Sequence, residues 1–78
     1  MLRYKINVFD ALNRAGINVY KAKKTGVISQ NTLYKLKNGD TRITLDTLDS
    51  ICNILDLNPG DVIEFIRTEE DEKKLKNI

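Results

Sequence analysis

No histidine occurs anywhere in this sequence, and its one cysteine, Cys52, has no partner. A lone thiol cannot close an internal disulfide, and without histidine or a second cysteine the usual zinc sites cannot be assembled. Nucleophilic catalysis by Cys52 would also need a base that is missing. Its place in the series Leu48, Cys52, Leu55 instead predicts a small core residue of a helix. Tryptophan is absent, proline occurs once, and no apolar run approaches the roughly 20 residues of a membrane span. Met1 leads into Arg3 and Lys5 with no signal-peptide core, so a cytosolic protein is expected. At 78 residues the chain is one domain at most and buries only about 60 to 65% of its unfolded surface, too little for an elaborate active site. Carboxylates such as Asp46 and Asp49 sit at helix-surface spacing, and there is no phosphate-binding glycine loop. No enzyme, cofactor or metal is expected.

What the chain does have is charge, unevenly placed. Residues 1 to 42 hold nine Lys/Arg against Asp10 and Asp40, a net of +7, and residues 43 to 78 hold four against nine Asp/Glu, a net of −5. The split implies a basic face for a polyanion and an acidic remainder turned away from it.

The basic half contains Tyr20 to Gly39, YKAKKTGVISQNTLYKLKNG, which reads as a helix, a tight turn and a second helix. Ser29 is a good N-cap, its hydroxyl able to accept an orphan amide one turn on. Leu33 and Leu36 form the inner side, with Thr32 partly buried beside them, while Ser29, Gln30, Asn31, Tyr34 and Lys35 are free to reach outward. A short helix with an apolar back and amides at its leading end is what a major-groove reader of DNA requires.

This stretch resembles the helix-turn-helix of the Cro/repressor-type (XRE-type) transcriptional regulators, and the resemblance runs from about Asn7 to Ile66. Ala22 matches the family's small residue between the two helices, Gly26 the turn glycine, Leu33 and Leu36 the buried positions of the recognition helix, and KLKNGD its RLENGK-like helix exit. From Gly26 to Leu33 is seven residues where the family usually has six, so the turn is one residue longer and Val27 and Ile28 are both expected to enter the core. The resemblance implies a mainly α fold: a small five-helix lambda-repressor-like DNA-binding domain with a two-stranded antiparallel sheet joining N- and C-terminal strands. It implies double-stranded DNA as partner, base reading by Ser29, Gln30, Asn31, Tyr34 and Lys35, and backbone contact by Asn18, Tyr20, Lys23, Lys24, Thr32, Lys37, Asn38, Thr41 and Arg42.

The rest of the chain fits that layout. Leu2, Tyr4 and Ile6 alternate with basic residues, which predicts a strand over 2–6 paired with VIEFIR at 62–67. A continuous helix through Ile66 is the alternative for the second of these. Asn7 and Asn18 are expected to cap the first two helices, with Val8, Phe9, Leu12 and Ala15 as the first core stripe, Gly16 as its stop, and Val19 and Ala22 facing inward. From Thr44 or the residue before it, Leu45, Leu48, Ile51, Cys52 and Leu55 recur at helical steps. The outer Asp46, Asp49, Asn53 and Asp56 would repel phosphate, so this fourth helix is structural. Asn58, Pro59 and Gly60 mark a break, Asp61 to Ile63 a short helical turn, and NPGDVIEFI resembles the C-terminal signature of small XRE-type regulators. Residues 1–67 are expected to be the helix-turn-helix domain. Residues 68–78 form a charged tail, predicted to be mobile although Glu69–Lys73 and Glu70–Lys74 would favour a helix.

Two functions compete at this stage: a sequence-specific DNA-binding regulator, and an antitoxin-like or other protein-interaction module that kept the fold without operator binding. RNA binding fits less well, because Tyr20 and Tyr34 are not paired on a strand. A homodimer is expected, at least on DNA, through the terminal strands or the adjacent fourth and fifth segments, and another regulatory protein is a further conceivable partner.

Overall fold

Each helix begins where the sequence offers a side chain to its first free amides. In this computed structural model, which describes residues 1–78, Asn7 accepts from the Asp10 N–H at 3.0 Å and starts α1 (Val8–Arg14). Asn18 accepts from Lys21 at 2.8 Å and starts α2 (Val19–Thr25). Ser29 and Thr44 do the same at 3.1 Å for α3 (Gln30–Lys37) and α4 (Leu45–Leu55). Asn7, Asn18 and Ser29 are the caps expected from sequence, and Thr44, expected as a possible first residue of the fourth helix, is its cap instead, each satisfying a donor that the helix itself cannot. Pro59 opens the single turn α5 (Pro59–Val62), its missing N–H lost at a position with no helical partner.

The expected strands form, in shortened versions. β1 (Leu2–Tyr4) runs antiparallel to β2 (Ile63–Phe65), pairing Leu2 with Phe65, Arg3 with Glu64 and Tyr4 with Ile63. Val62 closes α5 and so cannot belong to the strand; the short helical turn therefore lies at Pro59–Val62, earlier than the Asp61–Ile63 expected. A sixth helix, α6 (Glu69–Lys76), occupies the charged tail. Its anticipated Glu69–Lys73 and Glu70–Lys74 pairs are not closed ion pairs. What holds its first turn is a capping box between Thr68 and Asp71, with the Met1 ammonium on Asp71 and on the Ile66 carbonyl at 2.6 Å.

The core draws on every element of the first 62 residues except β1: Val8 and Leu12 of α1, Ala22 of α2, Ile28 of the turn, Leu33 and Leu36 of α3, Leu48 and Ile51 of α4, and Val62. Several expected core positions lie elsewhere. Val27 is 39% exposed and Ile28 alone is buried, because successive side chains between the left-handed Gly26 and the extended Ser29 cannot both face one core. Leu45 is 81% exposed, since as the first residue of α4 it projects beyond the end of the core that Leu48 enters one turn later. Ala15 caps α1 and is exposed; Phe9, Val19, Cys52 and Leu55 are half-buried at the core's edge. Leu2 is exposed, while Tyr4 and Ile6 pack against the core. No helix is long and apolar enough to cross a membrane.

Candidate nucleic-acid interface

From Ala11 to Gly39 there are six Lys/Arg and no carboxylate, a run in which α2, the turn and the whole of α3 lie. Leu33 and Leu36 seat α3 in the core, where it packs against α1 and α2. A helix that buries those two positions turns Asn31, Tyr34, Lys35 and Asn38 to the opposite side, at one-turn spacing, with Gln30 at the leading edge. All five are exposed. The structure thus brings four of the five expected base readers, Gln30, Asn31, Tyr34 and Lys35, onto one surface, together with Asn38, expected at the DNA backbone.

Ser29 stands apart from that group. Its hydroxyl accepts the Thr32 amide at 3.1 Å and donates to Thr32 Oγ1 at 2.8 Å, so its proton is committed to the cap. Thr32 is half-buried beside it. Ser29 and Thr32 therefore orient the start of α3 more than they offer free donors.

The residues expected to meet the DNA backbone lie on α2, on α3 itself and in the loop after it. Asn18 uses its side-chain oxygen as the α2 cap, which leaves its amide hydrogens pointing outward as donors; Tyr20, Lys23 and Lys24 are exposed on α2 itself. Lys37 lies with its ammonium 5.8 Å from the centre of the Phe9 ring, an attraction that steadies it at the exit of α3. Asn38 and Thr41 are exposed in the exit loop, where Gly39 takes a left-handed φ of 72°.

Arg42 differs from the other cations. Asp40 holds it through Nε at 3.0 Å, through a terminal guanidinium nitrogen at 2.9 Å and through its backbone amide at 2.9 Å. The side-chain hydrogen bonds from Arg42, then its backbone one, hold the Asp40 carboxyl down to about 2. Arg42 thus presents half of a neutralised pair, which weakens it as a phosphate ligand relative to Lys23 or Lys24. The Lys35 ammonium reaches the Arg42 carbonyl at 3.5 Å.

One positioning residue escaped the sequence. The Tyr4 hydroxyl donates to the Asp40 carbonyl at 2.7 Å, tying β1 to the loop after α3. Burial, then the nearby Asp40 carboxylate, raises the Tyr4 phenol above its usual pKa, so the donor form persists. The two positions are 36 residues apart, so no local pattern links them. The α4 side faces solvent with Asp46, Asp49, Asn53 and Asp56, all exposed, and contributes no cation.

The family model for the Cro/C1-type HTH DNA-binding domain matches residues 11–68, the span from the middle of α1 to the cap of α6. The chain is also similar to the uncharacterized HTH-type transcriptional regulator YozG of Bacillus subtilis (strain 168), 36% identical over 67 residues that cover 85% of this chain and 79% of the relative. No solved structure matches it.

Proposed function

Because the chain belongs to the Cro/C1-type HTH DNA-binding domains, a family of DNA-binding transcription regulators and not of enzymes, we propose that it recognises a specific DNA sequence by laying α3 in the major groove. The observation that carries this reading is the exposed, carboxylate-free surface of α2 and α3, with two amides at the leading turn of α3. Gln30 and Asn31 each donate and accept at once, the pairing that suits adenine N6 and N7. Tyr34 and Lys35 lie one turn further along, where Lys35 reaches guanine or phosphate. Lys23, Lys24 and Lys37 neutralise the backbone, with Asn18, Tyr20, Asn38 and Thr41 adding uncharged donors, and this supplies affinity without sequence preference. Arg42 joins them only if phosphate displaces Asp40.

Selection of bound sequences from a random DNA pool identifies the site. Titrations of Gln30→Ala and Asn31→Ala against that site and a scrambled duplex, at several salt concentrations, then test the reading. Loss confined to the selected site supports it; an unchanged ratio between the two duplexes for both variants removes α3 from the reading role. The competing reading, an interaction module that keeps the fold without operator binding, draws its support from the exposed Leu45 at the start of α4, and salt-sensitive affinity for the selected duplex decides against it.

A further inference from the structure

Asn38 is followed by Gly39, and no other asparagine of the chain has glycine after it. The other seven precede valine, arginine, threonine or isoleucine, whose side chains hinder approach to the following nitrogen, or, at Asn58, a proline that has no N–H. Asn7 and Asn18 further commit their side-chain oxygens to caps, and Asn13 and Asn53 their amide hydrogens to Phe9 and Asp49. Asn38 closes α3 through its backbone instead, its N–H bonding the Tyr34 carbonyl at 3.0 Å, and its side chain lies exposed. Around Gly39 the space is open: no atom beyond its chain neighbours lies within 4 Å of where a side chain would begin.

We propose that Asn38 is a self-modification site, where the Gly39 nitrogen and water convert an exposed amide into a carboxylate at a rate set by the last turn of α3. In the first step the Gly39 nitrogen gives up its proton and bonds to the Asn38 side-chain carbonyl carbon, while the bond from that carbon to the amide nitrogen breaks and ammonia leaves with the proton. Water then opens the cyclic imide at either carbonyl. Breaking the new bond gives aspartate, and breaking the original main-chain bond gives isoaspartate, whose backbone is longer by a carbon. Water enters, ammonia departs, and nothing is oxidised or reduced. The folded turn restrains the first step. Asn38 sits at φ −87° and ψ 1°, which directs the Gly39 nitrogen away from its side chain, and that nitrogen donates to the Leu36 carbonyl at 3.2 Å. Ring closure therefore waits for the turn to open, a motion that glycine permits at little steric cost. Two further bonds hold it shut, the Asp40 N–H on the Lys35 carbonyl at 2.8 Å and the Tyr4 hydroxyl on the Asp40 carbonyl at 2.7 Å. A helix end opens at far lower free energy than the whole fold, so these few bonds set the rate, and a ligand that binds the closed form lowers it further. The run from Ala11 to Gly39 has no carboxylate, so an acid at position 38 would be its first, set against phosphate. That consequence rests on the reading of α3 above; the chemistry does not.

Peptide mapping by mass spectrometry of the full chain, aged in warm, mildly alkaline buffer beside the urea-unfolded chain, tests it. Aspartate and isoaspartate should accumulate at Asn38 ahead of every other asparagine, and more slowly in the folded chain than in the unfolded one. Tyr4→Phe should quicken the folded-state conversion by about fivefold, the effect of one lost hydrogen bond, whereas Thr44→Ala, which loosens a different helix, should not. Asn38→Gln keeps the amide but would need a larger, slower ring, and should abolish it. The selected duplex should slow conversion, and Asn38→Asp should bind selected and scrambled duplexes alike about fivefold more weakly, through one unfavourable charge beside phosphate. Conversion that begins at another asparagine, a folded chain still intact after many half-lives of the unfolded one, or a Tyr4→Phe rate equal to the parent's overturns the site or its gate. If Asn38 converts yet Asn38→Asp binds DNA like the parent, the loss of binding is overturned, and with it the place of Asn38 at the phosphates, while the modification stands.

Discussion

Ser29 starts α3 and Thr44 starts α4 by the same device, each hydroxyl accepting the amide three residues on at 3.1 Å and bonding to the hydroxyl of the threonine there, Thr32 or Thr47. Both helices then bury two residues, Leu33 and Leu36 in one, Leu48 and Ile51 in the other. Their outward sides differ in charge, with no carboxylate on α3 and no cation on α4. α3 shows amides, a tyrosine and lysines; α4 shows aspartates and the solvated Leu45. Local folding is thus indifferent to the chemistry turned outward, and that freedom lets one small core carry a polyanion-binding surface and an acidic, apolar-ridged one.

The comparison breaks first at the core the two helices share. Leu33→Ala and Leu48→Ala should each cost about 2 to 5 kcal/mol in urea unfolding, a large share of the 5 to 15 kcal/mol typical of whole domains. Leu33 should cost the more, being 0% exposed against 7% for Leu48. A Leu48→Ala variant that melts within a degree or two of the parent would contradict the packing of α4.

On the outward sides the two helices should separate. Gln30→Ala and Asn31→Ala should each lose about 1 to 3 kcal/mol on the selected duplex and less on a scrambled one, whereas Asp46→Ala on α4 should leave the ratio between duplexes unchanged. Fluorescence titration of the three variants side by side measures this.

The caps sharpen the contrast, since they match in geometry. Ser29→Ala and Thr44→Ala should each cost about 1 kcal/mol of stability, read from thermal melts. Only Ser29→Ala should also weaken DNA binding, because only the cap of α3 orients the reading turn.

Smaller effects concern charge around α3. Lys24→Ala should weaken binding to both duplexes alike and make the salt dependence shallower by about one counterion. Asp40→Asn should act in the opposite sense, releasing Arg42 toward phosphate and steepening the slope. The Asp40 carboxyl titrates at about 2 in the folded chain against 3.8 for a free one. A depressed folded pKa means that its contribution to stability is complete above the unfolded value and disappears as pH falls through about 2. Carbon NMR of the Asp40 carboxyl down the acid range should show that low midpoint, and Arg42→Ala should move it back toward the ordinary value.

The sequence by itself determined the elements and their starts. Asn7, Asn18 and Ser29 could be read as caps because capping is satisfied within three residues, and Leu33, Leu36, Leu48 and Ile51 as core because helical period brings them to one side. The candidate reading surface was legible for the same reason: once two leucines are buried, the positions opposite them face water. The tertiary structure alone decided matters that depend on where elements end against one another. It left Leu45 outside the core although its spacing fits, chose Ile28 over Val27 in the turn, and brought Met1 to Asp71, adding a distant partner to the local capping box of α6. It also joined Tyr4 to the loop at Asp40, where Asp40 clasps its near neighbour Arg42 and sets one expected DNA contact apart from the rest. Local pattern reports which side of a helix is apolar; whether a neighbour reaches far enough to cover the last residue of that side depends on the position of segments distant in the chain.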